Sequence, residues 1–190
     1  MSDFFGFLGG GGTTTPVPGP INYGLFTQLA NSPIITATTV EGTLIDGGLG
    51  SLTVPANGFS IGDTFRGDFG GILSAKNNDS IRIRIKSNSV ILADSGLQVL
   101  PTTNNAVWSL SMNFVIRSVG PATVASIVTY ANFLSLKQSN GTSEGFGFNT
   151  VNSTTFDTTN VNTLDVTAQF SSNSPNNSIY SDYFCLNKVF

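Results

Sequence analysis

A chain of 190 residues with 39% hydrophobic residues is long enough to bury one core, and with only 10% charged residues its polar surface falls to Ser, Thr, Asn and Gln. A net charge of -3 and a pI near 4.6 give no basic footprint for nucleic acid. The lack of histidine removes the commonest general base and the usual zinc ligand, and a single cysteine excludes an intrachain disulfide.

Residues 1–20 read as an arm distinct from the rest of the chain. Phe4, Phe5, Phe7 and Leu8 sit on a peptide too short to bury them, and they are expected to dock in a pocket on a neighbouring protein. Gly9, Gly10, Gly11 and Gly12 form a hinge, because four glycines in a row leave the backbone free. Thr13 to Pro20 places Pro16, Pro18 and Pro20 at alternate positions, which favours an extended spacer. The N-terminus lacks a basic segment followed by a small-residue cleavage site, so the expectation is maturation in a reducing cytoplasm.

Residues 21–190 read as one domain built from strands. Residues 22–30 are expected to be extended, as is the β-branched run Ile34 to Val40. A short strand over Leu49 to Val54 stops at Pro55, and Asn57-Gly58 marks a turn. Thr64 to Ala75 comes next, where Gly67, Gly70 and Gly71 suggest a bulge or close packing on another strand. The turn Lys76 to Asp79 leads into the clearest signal in the chain. From Ile81 to Lys86, apolar and basic residues alternate strictly, so Ile81, Ile83 and Ile85 face a core while Arg82, Arg84 and Lys86 line the opposite face. That basic stripe is either a solvated face or a contact with an acidic neighbour or a sister subunit.

Short strands are expected at Val90 to Ala93 and ending at Val99-Leu100. Ala106 to Ser118 is a long strand with Trp108, Leu110, Met112, Phe114 and Ile116 on one face. Gly120-Pro121 turns it back into Val124 to Leu136, both of whose faces are apolar enough that one is expected to meet another subunit. Gln138 to Gly147 reads as a loop, Phe146 to Val151 as a short strand and Leu164 to Phe170 as another. Ile179 to Phe190 is the last strand, with Cys185 as a buried thiol. No window holds the 3.6-residue period of a helix. About eight to ten strands with turn signals between them make an all-β antiparallel sandwich or barrel.

No catalytic constellation emerges. Asp46, Asp63, Asp68, Asp79, Asp94, Glu144, Asp157, Asp165 and Asp182 are scattered singly, most beside turn residues, and no calcium loop or phosphate loop is present. No cofactor or metal is called for, and no stretch approaches the ~20 apolar residues of a membrane span. The sequons at Asn78, Asn140, Asn152 and Asn176 are what chance supplies in a chain this rich in Asn, Ser and Thr.

The run from about Phe59 to Phe190, two-thirds of the chain, resembles a family of small viral structural proteins with a jelly-roll domain similar to the tumour-necrosis-factor fold. The residues that carry the resemblance start with Gly62-Asp63-Thr64-Phe65-Arg66, Asn77 to Ile85, Ala93-Asp94-Ser95-Gly96, Trp108-Ser109-Leu110 and Val115 to Gly120. They end with Phe156-Asp157-Thr158-Thr159, Leu164 to Phe170 and Asn177 to Tyr180. Such proteins decorate capsids, serve as minor capsid proteins or head the fibres of phages and large DNA viruses. The resemblance implies a jelly-roll β-sandwich, a homotrimer, a place on the capsid exterior after synthesis in a host cytoplasm, and no enzymatic activity. The arm is then expected to anchor the trimer to a major capsid or other virion protein. In the alternative role, a fibre head, Tyr130, Tyr180 and Tyr183 are candidates for contact with a host-surface glycan.

Overall fold

The computed structural model describes residues 24–137 and 141–190. They form fourteen strands and no helix. In chain order these are β1 (Gly24–Gln28), β2 (Ile35–Thr36), β3 (Gly42–Thr43), β4 (Gly48–Gly50), β5 (Thr53–Val54), β6 (Thr64–Ala75) and β7 (Ser80–Ser87). They continue as β8 (Val90–Asp94), β9 (Gln98–Val99), β10 (Thr103–Ser118), β11 (Ser126–Leu136), β12 (Ser143–Asn152), β13 (Asn162–Phe170) and β14 (Ser178–Lys188).

All pairings are antiparallel and fall into two sheets packed face to face as a β-sandwich. The large sheet has the order β12-β11-β10-β6-β14-β1-β4, with β2 beside β14. The small sheet has the order β3-β13-β7-β8, with β5 beside β13 and β9 beside β7. The alternation seen in the sequence decides which side chains meet between them. From the small sheet Ile81, Ile83, Ile85, Val166 and Ala168 are fully buried. From the large sheet come Leu110, Met112, Phe133 and Phe184. Rings tie the layer together: Phe69 stacks on Phe184 at 3.8 Å, and Trp108 on Phe133 at 5.5 Å.

The turns use the residues that tolerate left-handed backbone. Asn57, Asn78 and Asn88 have φ of 59°, 60° and 54°, at three of the expected turns. Where expectations fail, the backbone explains it. The run Ile34 to Val40 yields only β2, because Ala37 takes φ 48° and leaves the extended region. The stretch Leu49 to Val54 is two strands in different sheets. At Gly50, φ 98°, the chain leaves β1 and crosses to pair with β13. The segment read as a loop contains the first half of β12, which pairs with β11 from Ser143 to Asn152. Its glycines hid it. A Cβ on Gly145 would lie 2.0 Å from the Phe133 carbonyl oxygen, so close strand approach requires the residue that weakens the strand signal.

Gly70 and Gly71 do mark a bulge, carried by the facing strand. β14 pairs Ser181 with Gly71 and Tyr183 with Gly70, leaving Asp182 as the extra residue. The bulge reverses which residues of β14 face the core. Ile179 and Ser181 point inward before it, Phe184 and Leu186 after it. Cys185, expected to be buried, is therefore half-exposed on the outer face.

Candidate functional site

The basic stripe of β7 lies on the outer face of the small sheet, and its acidic partners come from the same chain. Arg82 grips Asp94, at the end of β8, through Nε at 2.7 Å and Nη2 at 2.5 Å. Arg84 donates Nε to the same carboxylate at 3.2 Å, and its Nη1 to Glu41 at 2.5 Å and to Gln169 at 3.1 Å. Lys86 reaches Glu41 at 3.3 Å, and the Thr167 hydroxyl also donates to that carboxylate. Arg84 is the hub, with its side chain only 13% exposed.

The electrostatics are those of a structural clasp. Burial pushes the Asp94 carboxyl up, but Arg82, the Gly96 N–H and Arg84 together bring it below its ordinary value. Burial likewise opposes, and Thr167, Lys86 and Arg84 outweigh it, at Glu41. A general acid near neutrality needs the opposite shift. The stripe finds acidic partners within its own chain and stays partly exposed. Three cations share two carboxylates and pin the segment before β3 and the end of β8 onto the sheet. Glu41 carries no local signal in the sequence, and Asp94 reads there as a turn former. A chain with 11 acidic residues that concentrates three cations on one strand must draw countercharge from elsewhere in the fold, and that count is the available signal.

A second polar centre is Asp79, buried at the turn into β7. Its carboxylate accepts from the hydroxyls of Ser171 and Ser172, the Asn177 amide at 2.7 Å and the Ser80 N–H at 2.9 Å. Burial opposes the charge, and these four donors hold the carboxyl well below the usual carboxylate range. Asn152 is another internal cap. Its Oδ1 accepts from the N–H groups of Thr154, Thr155 and Phe156, and its Nδ2 donates to the Ile91 carbonyl. That sequon is committed to the fold.

A further surface is the outer face of the large sheet. Along β10 it shows Val107, Ser109, Ser111, Asn113, Val115 and Arg117. Along β11 it shows Val128, Tyr130, Asn132, Leu134 and Leu136. Val151, Val128 and Val115 form a row across three strands. Arg117 is the one charged side chain among the outward positions of β10, β11 and β12. Farther along, Arg66 and Asp68 pair at 2.9 Å. Tyr130 and Tyr183 share this face, each 51% exposed. They lie on β11 and β14, three strand spacings or roughly 14 Å apart laterally, with Arg66 and Asp68 on the strand between β10 and β14. Tyr180 is half-buried beside Ile72. The three tyrosines do not form one stacking platform.

The docking residues Phe4, Phe5, Phe7 and Leu8 and the hinge Gly9 to Gly12 lie outside the described residues, as does the Asn140 sequon. Among the described residues no three His, Cys, Asp or Glu side chains cluster as metal ligands, and no helix is long and apolar enough to cross a membrane. The chain matches no protein-family model and no curated protein.

Proposed function

We propose that this chain is a non-enzymatic structural subunit that assembles with copies of itself, as a homotrimer on the exterior of a virion. One observation carries the assembly: an outer sheet face across β10, β11 and β12 that exposes Val107, Tyr130, Leu134 and Val151 and has a single charge. A face that exposes these apolar side chains and carries so little charge favours association. Covering about 800 Å² of it per partner gives an interface of standard size. Catalysis has no support from the polar centres, whose carboxylates are saturated by cations and hydroxyls.

The strand order supports a jelly-roll reading. The chain passes from β6 in the large sheet to β7 and β8 in the small one, back to β10, across to β13 and back to β14. The β11–β12 hairpin then extends the large sheet beyond β10. The virion setting rests on the resemblance of the sequence motifs, and the arm is its anchor to a capsid protein. Native mass spectrometry tests the assembly. The expected mass is three times 19.9 kDa, and Val128→Asp with Leu134→Asp should reduce it to one subunit. A wild-type monomer at micromolar concentration rejects the reading. Deleting residues 1–12 should leave the trimer and abolish incorporation into particles; normal incorporation would remove the anchoring role.

A further inference from the structure

Between the sheets lies a cavity of about 120 Å³ that the core does not fill. Leu25, Leu52, Phe59, Phe65, Phe114 and Phe156 line it. Phe59 meets Phe65 edge-on at 6.0 Å and Phe156 at 5.8 Å, so three rings frame one side. Its mouth is at Ser51 to Val54, where the chain crosses between the sheets. The polar groups on its wall are spent on each other: the Ser87 hydroxyl donates to Asn162 Oδ1 at 2.7 Å, and Asn162 Nδ2 donates to the Asp157 and Asn160 carbonyls. A charged or strongly polar ligand would lose its hydration here and gain no partner. An apolar ring loses nothing, and a cavity of this order accommodates benzene. Native cores hold few voids larger than a water molecule, so an open apolar one calls for an occupant.

We propose that the cavity binds a phenyl ring of Phe4, Phe5 or Phe7 from its own chain. Residues 1–23 join the domain immediately before Leu25, a wall of the cavity, so the segment is tethered at the site. The 15 residues 9–23 give a contour of up to about 50 Å, more than enough to bring the ring back to the mouth. Gly9 to Gly12 lets the chain reverse direction. Such a tether supplies an effective concentration near the millimolar range, which allows a single ring to occupy the cavity. Three of the chain's 15 phenylalanines lie within its first seven residues and need apolar cover. This site is independent of the virion reading. A capsid partner would compete for the same rings.

The test uses the full chain, benzene as the probe and thermal unfolding as the readout. F4S/F5S/F7S should melt below wild type, and saturating benzene should raise the melting temperature of that variant by about 3 °C while leaving wild type nearly unchanged. The three single variants identify the ring and keep the comparison readable should the triple variant aggregate. Equal stabilisation of both proteins by benzene would show an unoccupied cavity and overturn the proposal. Stabilisation of neither would show that the cavity takes no ring and would overturn it as well. A wild-type benzene response that grows on dilution would assign the ring to a second copy and overturn the intramolecular assignment.

Discussion

Asn177 donates its side-chain amide to the buried carboxylate of Asp79 at 2.7 Å while its own Oδ1 accepts the Lys76 N–H at 3.0 Å. One side chain thereby joins the loop before β14 to the turn that starts β7. The carboxylate sees only donors, so its folded pKa is depressed below the unfolded value near 4. A depressed carboxyl stabilises the fold fully above the unfolded pKa and loses that contribution as pH falls through the folded one. Glu41 and Asp94 shift in the same direction. The melting temperature should therefore be flat from neutrality to about pH 5 and fall steadily below about pH 4. Asp79→Asn turns an amide NH₂ toward donors and should cost about 2–3 kcal/mol at pH 7. Its acid limb should be shallower, so the two curves converge toward low pH. Parallel curves in circular dichroism melts would show that Asp79 does not drive the acid transition.

Gly71 faces Tyr180 at the bulge, where a Cβ would sit 2.1 Å from the Tyr180 carbonyl oxygen and 2.9 Å from Trp108 Nε1. That carbonyl also accepts the indole N–H at 3.1 Å. Backbone cannot yield as a side-chain tip can, so Gly71→Ala should cost about 3 kcal/mol and disturb the tryptophan environment. Gly47→Ala is the control, since a Cβ there meets nothing within 4 Å. Chemical denaturation followed by Trp108 fluorescence compares them. Equal stability of the two variants would mean that β14 moves aside freely.

Local patterns make the sequence legible, and long-range ones limit it. Ile81, Ile83 and Ile85 declare their face by strict alternation, and the Asn-rich turns declare theirs by chemistry. The parity of β14 depends on one bulged residue opposite a glycine pair, which no periodicity in β14 itself records. Arg84 finds Glu41 at a separation of 43 residues, through a segment whose β-branched composition promises a strand and whose backbone instead turns at Ala37. The partners of the basic stripe can only be read once β8 and the loop before β3 are placed beside β7.

That clasp makes its own prediction. Arg84→Met leaves Glu41 and Asp94 short of their shared cation and should cost about 1–2 kcal/mol at low salt, less in molar salt because the network is partly exposed. Combined with Glu41→Gln, the loss should be smaller than the sum, since both changes break the same pair. Replacing Arg82, Arg84 and Lys86 together with Ser should lower stability and leave the native mass unchanged. Dissociation of the assembly in that variant, at a temperature where it stays folded, would place the stripe at a subunit contact.

The bulge at Asp182 predicts opposite outcomes for adjacent residues. Phe184 stacks on Phe69 and is fully buried, so Phe184→Ala should cost about 3–5 kcal/mol. Cys185 lies across from Asp68 and Thr27 on the outer face, where its sulfur accepts from the Asn187 amide at 3.4 Å. Cys185→Ser should stay within about 0.5 kcal/mol of wild type, and the native thiol should react with a thiol reagent without denaturant. Because β14 lies three strands from β11, association through the β10–β12 face should leave that reaction rate independent of protein concentration. A rate that falls on association would extend the interface across β6 to β14. A thiol inert until unfolding would put Cys185 inside, and the register of β14 beyond the bulge would then have to shift by one residue.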